Sequence, residues 1–408
     1  MSTSDAADER SKPGLDSLPL IVLLSFVFGI AAFATDMYLP AFPAIRATFD
    51  VAPQAVQFSM SVFLYGNALG HLVFGPLSDR YGRKPVLIGG LLAYAGASFG
   101  CALAPDITAF LALRALQGAA AASGPVLVRA LINDRLPRER AAQTLALLTG
   151  TMAFTAMLTP SLGGWLVQFH PWQWIFAGLG MTAVALVGFC SAGIPESLPP
   201  AHRLGVLGPR SVYEAYRDIA GSARFWSYVL PPSFMFAGVF AYAAVNSFLL
   251  IDELGIAERH YGISYSVAAG AYVSGSLAGR TLVRLAGIDR AIVTGLVLGF
   301  TCALAAVIAS ALSAPLSIAL VMLPGICMFF SAALILPIGF SVAVSLFPLH
   351  AGSASALAGF TQLGFAGASA GIAAMLYDET TLPLHAFTFV CCAIAITCWC
   401  AGRGFRHA

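Results

Sequence analysis

Asp36 is the acid, and Arg114 the strongly basic residue, that falls well inside a long apolar stretch of this chain. Asp36 belongs to Phe33–Pro43 (FATDMYLPAFP), in an apolar run from Leu18 to Pro40, whereas the other acids occupy tails, loops or helix ends. A carboxylate held in hydrocarbon is costly, so an acid there marks a functional site by default. Its natural chemistry is to bind and release one proton. Arg114 opens the string RALQG. It lies about 7 residues into its own stretch, roughly 10 Å at 1.5 Å per residue. Asp36 lies about 4 to 6 residues from the end of its stretch, roughly 6–9 Å. Similar depth permits a pair, direct or through water, that lowers the cost of both charges. The plainer roles are snorkelling of Arg114 to an interface and a helix-end position for Asp36 ahead of Pro40 and Pro43.

Other reactive residue types carry less. His71 can titrate, but a lone histidine in a span more often hydrogen-bonds a neighbouring helix. The eight cysteines all fall in apolar runs, and their spacing matches no metal framework. No metal and no cofactor is expected. An intramembrane enzyme would need a paired constellation at one depth, which the chain lacks, and a receptor would be expected to carry a long soluble sensing domain. The polar residues within spans are Asn67, His71, Gln117, Asn246 and Gln362. Phe33, Tyr38, Phe236, Phe240 and Phe330 are candidates to line an apolar ligand site, with Asp36, Gln117 and Asn246 as its polar contacts.

These residues need a scaffold, and composition names its class. Hydrophobic residues are 59% of the chain and charged residues 10%, against about 25% charged in soluble domains. Mean hydropathy is +0.83. Apolar runs of about 20 residues recur, each long enough to span a bilayer. The short alternating segments of a barrel are missing. Twelve spans are predicted, near 18–40, 56–76, 86–104, 107–130, 142–167, 172–194, 225–250, 263–284, 290–311, 317–343, 352–376 and 383–402. An even number puts both termini on one side. Apart from Arg46, Arg259 and the embedded Arg114, every Lys and Arg falls on that side, which makes it cytoplasmic by the positive-inside rule.

The longest polar interval, 195–224, divides the chain into bundles of six at 18–194 and 225–402, with tails at 1–17 and 403–408. The first tail is polar and expected to be disordered. Within the linker, Val212 to Ile219 reads as a short helix lying on the membrane surface. The halves look repeated: residues 61–90 align without gaps to 266–295 at an offset of 205. Two parallel six-helix halves around a central site is a transporter architecture.

The most specific string is GPLSDRYGRK, Gly75 to Lys84, between the second and third spans. Gly75 reads as a point of close helix approach and Gly82 as a tight turn. Arg80, Arg83 and Lys84 hold the loop on the cytoplasmic side. Asp134, ending the fourth span, is the expected partner of Arg83 or Arg80. The fifth span carries Pro160-Ser161-Leu162-Gly163-Gly164, a close-packed stretch.

The Gly75–Lys84 string resembles the signature loop of the major facilitator superfamily, and RALQG its fourth-span motif. The Pro160–Gly164 stretch resembles the family's antiporter motif in part, with Thr159 and Thr155 in place of glycines. TDMYLPAFPAI, IPESLPPAHR and SLFPLHAGSASALAGFTQLGFAGASAG add a resemblance to the bicyclomycin/chloramphenicol-resistance (Bcr/CflA) branch of drug/proton antiporters. The resemblance implies an all-α membrane protein of twelve helices in two pseudo-symmetric bundles. It implies that Asp36 and Arg114 couple protons to substrate, and that Asp79 meets the start of the eleventh span near Gly352–Ser353. A related exporter group has a second acid two turns before the aspartate; Phe28 stands there in this chain, which favours one proton per cycle. The expected function is efflux of small, largely apolar drugs against protons, in a bacterial inner membrane, by a monomer, without nucleic acid. The alternative is export of one cell metabolite such as an amino acid, sugar, siderophore or nucleoside.

Overall fold

The structure is a computed structural model that describes residues 18–198, 209–312 and 315–406. The predicted tail 1–17, linker residues 199–208 and the final residues 407–408 lie outside them.

The first helix, α1, is Leu18–Asp36. Pro40 and Pro43 set its end. Proline has no N–H to donate and turns the residue before it away from helix. The chain therefore takes a 3-10 turn at Leu39–Ala41 and restarts as α2, Phe42–Phe49. Next come α3 (Pro53–Tyr81) and α4 (Arg83–Ala102). They are separated by Gly82, whose φ of 101° a side chain would resist. The fourth crossing is made by two helices, α5 (Ile107–Ala121) and α6 (Ser123–Arg135), which meet at Ala122. Asp106 caps α5 by accepting the Ala109 N–H at 2.8 Å. The first half closes with α7 (Arg138–Phe169) and α8 (Gln173–Gly193).

A linker helix, α9 (Pro209–Ala220), stands where the short surface helix was expected, three residues longer at its start. The second half contains α10 (Ala223–Phe248), a π-helical turn at Leu249–Glu253, and α11 (Glu258–Ala286). It continues with α12 (Ile288–Ala311), α13 (Ile318–Ser345), α14 (Ala351–Leu376) and α15 (Leu382–Ala401). A short α16 (Arg403–Arg406) occupies most of the predicted tail.

The crossings alternate in direction, so both described chain ends lie on one face, here the near face. The turns after α1, α4, α7, α10, α12 and α14 form the far face. The two halves meet along α3 against α14 and α7 against α11. The repeat survives in detail. Gly287, which is Gly82 plus the offset of 205, also has positive φ (86°) and also separates the second and third crossings of its half.

Nine helices among the described residues are long and apolar enough to cross a membrane by composition. The three crossings outside that set are α3, α7 and α11. All three belong to the interface between the halves. A helix covered by protein need not be uniformly apolar, because its polar groups meet other helices rather than lipid.

Candidate functional site

Asp36 is the last residue of α1 and is 7% exposed. The negative end of the α1 dipole adds to the cost of a charge there. Its carboxyl makes no ion pair among the described residues, and the neighbouring Thr35 side chain is within hydrogen-bonding reach of it. The neighbouring Thr35 hydroxyl donates to the Ala31 and Ala32 carbonyls at 3.2 and 3.1 Å. The phenols of Tyr261 and Tyr265, on α11 of the other half, lie within electrostatic range of Asp36. Asp36 thus faces the junction of the two bundles.

The antiporter-like stretch braces this point. A Cβ at Gly163 would collide with the Met37 carbonyl, one residue after Asp36. A Cβ at Gly164 would collide with the Glu258 carbonyl on α11, and one at Gly262 with the Ser161 backbone. Ser161 and Ser266 pair their hydroxyls across the halves at 3.0 Å. Pro160 lies within α7 just before this contact and is buried. The glycines let α7 touch α1 and α11 at once.

Arg114 is fully buried, so it does not snorkel to an interface. It also makes no direct pair with Asp36. Its guanidinium lies over the rings of Tyr38 at 4.2 Å, Phe63 at 4.4 Å and Phe176 at 5.6 Å. Its Nη1 donates to Gln117 Oε1 at 2.6 Å, and Gln117 Nε2 donates to Ser98 Oγ at 2.8 Å. Arg114 Nε and Nη2 have no partner among the described residues. Rings substitute for the carboxylate because an aromatic face attracts a cation. Tyr38, two residues past Asp36, is held in turn by a 3.1 Å contact of its hydroxyl with Ser59 Oγ.

Of the predicted ligand contacts, the structure gathers Tyr38 and Gln117 around Arg114. Phe236 and Phe240 pack together on α10 with ring centroids 4.9 Å apart. Asn246, six residues further, is fully buried with both amide atoms unpartnered among the described residues. Ser247, Tyr261 and Ser331 add unpartnered hydroxyls in the same half. Phe330 lends its backbone carbonyl to the close approach of Gly275. Phe33 stacks on Phe26 at 5.9 Å, and Phe26 is exposed. Phe33 is therefore not part of the Arg114 cluster.

Several expectations are corrected. Nothing approaches a Cβ at Gly75 within 4 Å; the glycines of α3 that touch α5 are Gly66 and Gly70. Asp79 makes no hydrogen bond or ion pair with α14 among the described residues. It pairs with Arg83, four residues on across the Gly82 turn, which is a nearer cation. Arg83 also reaches Asp134, Nε to Oδ2 at 3.1 Å, as expected. Arg80 is exposed and lies over Tyr81 at 5.1 Å. The carboxylate that does sit on a helix N-terminus is Glu196, which accepts the Arg83 and Lys84 N–H groups of α4 at 3.0 and 3.3 Å. His71 is buried, but makes no hydrogen bond among the described residues. Arg129, expected on the cytoplasmic side, lies within α6, six residues before its end.

Sequence reading missed Phe63, Phe176 and Ser98 around Arg114, and the tyrosines of α11. Nothing in their residue types separates them from ordinary packing. Ser98 and Tyr261 carry a weak signal as polar groups within apolar helices.

Two antiparallel-crossing six-helix bundles with a charged interior and a glycine-lined seam define a polytopic membrane transporter fold. The chain belongs to the Major Facilitator Superfamily, whose family model matches residues 24–372. A "Bicyclomycin resistance protein homolog" of Haemophilus influenzae (strain ATCC 51907 / DSM 11121 / KW20 / Rd) is 30% identical over 245 residues, 59% of this chain and 61% of the relative. The "Multidrug resistance protein MdtL" of Escherichia coli O9:H4 (strain HS) is 30% identical over 332 residues, 80% of this chain and 81% of the relative. Among solved structures, a D-xylose-proton symporter superposes with a TM-score of 0.73 at 15% identity, covering 94% of this chain and 98% of that one. The last likeness concerns the fold alone.

Proposed function

We propose that this chain exports small, largely apolar drug-like molecules from the cytoplasm in exchange for protons, by alternating access of its two halves. The near face is then the cytoplasmic one, by the distribution of Lys and Arg. The observation that carries the reading is the enclosed carboxyl of Asp36 at the junction between bundles, with no ion pair among the described residues. A buried charge without a partner is strongly disfavoured. Asp36 can be enclosed with its proton on; releasing that proton requires water, a substrate or a rearranged cation beside it. Rocking of the halves exchanges these surroundings. The relatives named for drug resistance support the substrate class.

The seal in this structure lies on the far face. Arg46 Nη1 meets Asp252 Oδ2 at 3.1 Å across the halves. Gln54 Nε2 donates to the Tyr377 carbonyl at 3.4 Å, and Phe42, Phe248 and Tyr377 form a column of rings. On the near face, the ion pairs of Arg83 with Asp79 and Asp134 lie within the first half. Export then proceeds by opening the far seal, admitting a proton to Asp36 and releasing substrate outward.

Expression in a host stripped of its own pumps tests this. Resistance to chloramphenicol- or bicyclomycin-like compounds should rise, and should vanish when the proton gradient is collapsed. The Asp36→Asn protein should insert in equal amount and confer none. A fully active Asn variant would remove Asp36 from the role. Unchanged resistance with raised efflux of one cell metabolite would favour the narrower exporter.

A further inference from the structure

Arg129 is a membrane-depth cation that the efflux scheme leaves without a task. It lies six residues inside the near end of α6, about 9 Å at 1.5 Å per residue. Its guanidinium sits over the Phe28 ring of α1 at 5.3 Å, and Phe28 is 2% exposed. His71 of α3 lies within range of its field. His71 in turn faces the other half, with Nδ1 3.1 Å from the Cβ position of Gly359 on α14. Arg129 thus packs on α1, within electrostatic range of a residue at the seam between bundles.

It has no counter-charge there. Among the described residues it makes no ion pair and no hydrogen bond. Asp36 is the one acid of α1, and α14 carries no charged residue at all. The acid on α3, Asp79, is already held by Arg83. Among the described residues, Asp134 on α6 itself is also held by Arg83, Glu258 of α11 stands at the opposite, far end of the seam, and the second half otherwise adds neutral groups such as Asn246, Ser247 and Tyr261. The Arg129 guanidinium is thus a positive charge without an ion-pair partner among the described residues. Away from bulk water such a charge repels a cation and favours an anion.

Resting on the efflux reading, we infer that the preferred substrates are small apolar or aromatic molecules bearing one anionic group, and that Arg129 is the residue that receives it. A guanidinium presents a planar fork suited to a carboxylate, and stacking on Phe28 holds that fork without neutralising it.

The test is equilibrium binding to the purified full-length protein by calorimetry, with three probes: nalidixate (anionic), chloramphenicol (neutral) and ethidium (cationic). Wild type should bind nalidixate at least about tenfold more tightly than ethidium, a difference of about 1.4 kcal/mol. Arg129→Gln should weaken nalidixate by about tenfold while leaving chloramphenicol within about twofold, and Arg129→Lys should restore part of the loss. The charge preference of wild type stands as evidence even if a variant misfolds. Equal binding of ethidium and nalidixate would overturn the inference and leave the efflux reading intact. So would an Arg129→Gln protein that loses all three probes together, since that marks a structural post. Failure of wild type to bind any probe would overturn both.

Discussion

Arg114 shows how a buried charge can be housed without a carboxylate. Three ring faces and one amide oxygen surround it, each cation–π contact contributing about 0.5–2 kcal/mol. Lysine keeps the charge but loses the planar surface that lies on Tyr38 and Phe63. Arg114→Lys should therefore lower export by about tenfold or more, read as drug accumulation in cells at equal expression. Tyr38→Phe retains the ring and removes only the contact with Ser59. It should cost about 0.5–1.5 kcal/mol of stability and leave export largely intact, which thermal unfolding and the same accumulation assay would separate. At this scale Asp36, Arg114 and Gln117 are legible in the chain, because polar residues in apolar runs stand out. Phe63 and Phe176 are not, since a phenylalanine facing a cation and one facing lipid are the same letter. Arg129 was misassigned for another reason. It sits so near a helix end that the rule sorting basic residues to the cytoplasmic side absorbs it.

At the scale of elements, α7 joins the two halves through Gly163 and Gly164. Gly163→Ala would drive a methyl group into the Met37 carbonyl. Overpacking of this kind costs about 1–3 kcal/mol, and here the strain falls next to Asp36. Transport should be lost while the protein still inserts. Gly75→Ala is the control, because open space surrounds that position; it should export normally. Equal loss in both variants, by fluorescence efflux from everted vesicles, would contradict the contact map. The antiporter-like string told where close packing occurs but not which helix lies opposite. That depends on how separate crossings meet, which spacing within one helix does not encode. The opposite error occurred at Gly75, where a glycine inside a strong motif was taken for a contact and is none.

For the molecule as a whole, nine of the crossings are marked by apolar length among the described residues, and the repeat by the offset that carries Gly82 onto Gly287. The pairing of halves was not, although α3, α7 and α11 hinted at it by being less apolar than their neighbours. The far-face seal joins Arg46 of one half to Asp252 of the other, residues 206 apart that no local pattern connects. If the halves rock, tying this seal should stop the cycle. Arg46→Cys with Asp252→Cys, joined by a short reducible thiol crosslinker, should abolish export and regain it on reduction, as drug efflux would report. The central claim is that Asp36 exchanges its proton for substrate, and it is tested most directly by proton release from the purified protein in weakly buffered detergent. Addition of an exported compound to wild type should acidify the medium, to about one proton per bound molecule for a lone acid, and Asp36→Asn should release none. Undiminished release from the Asn variant would contradict the account.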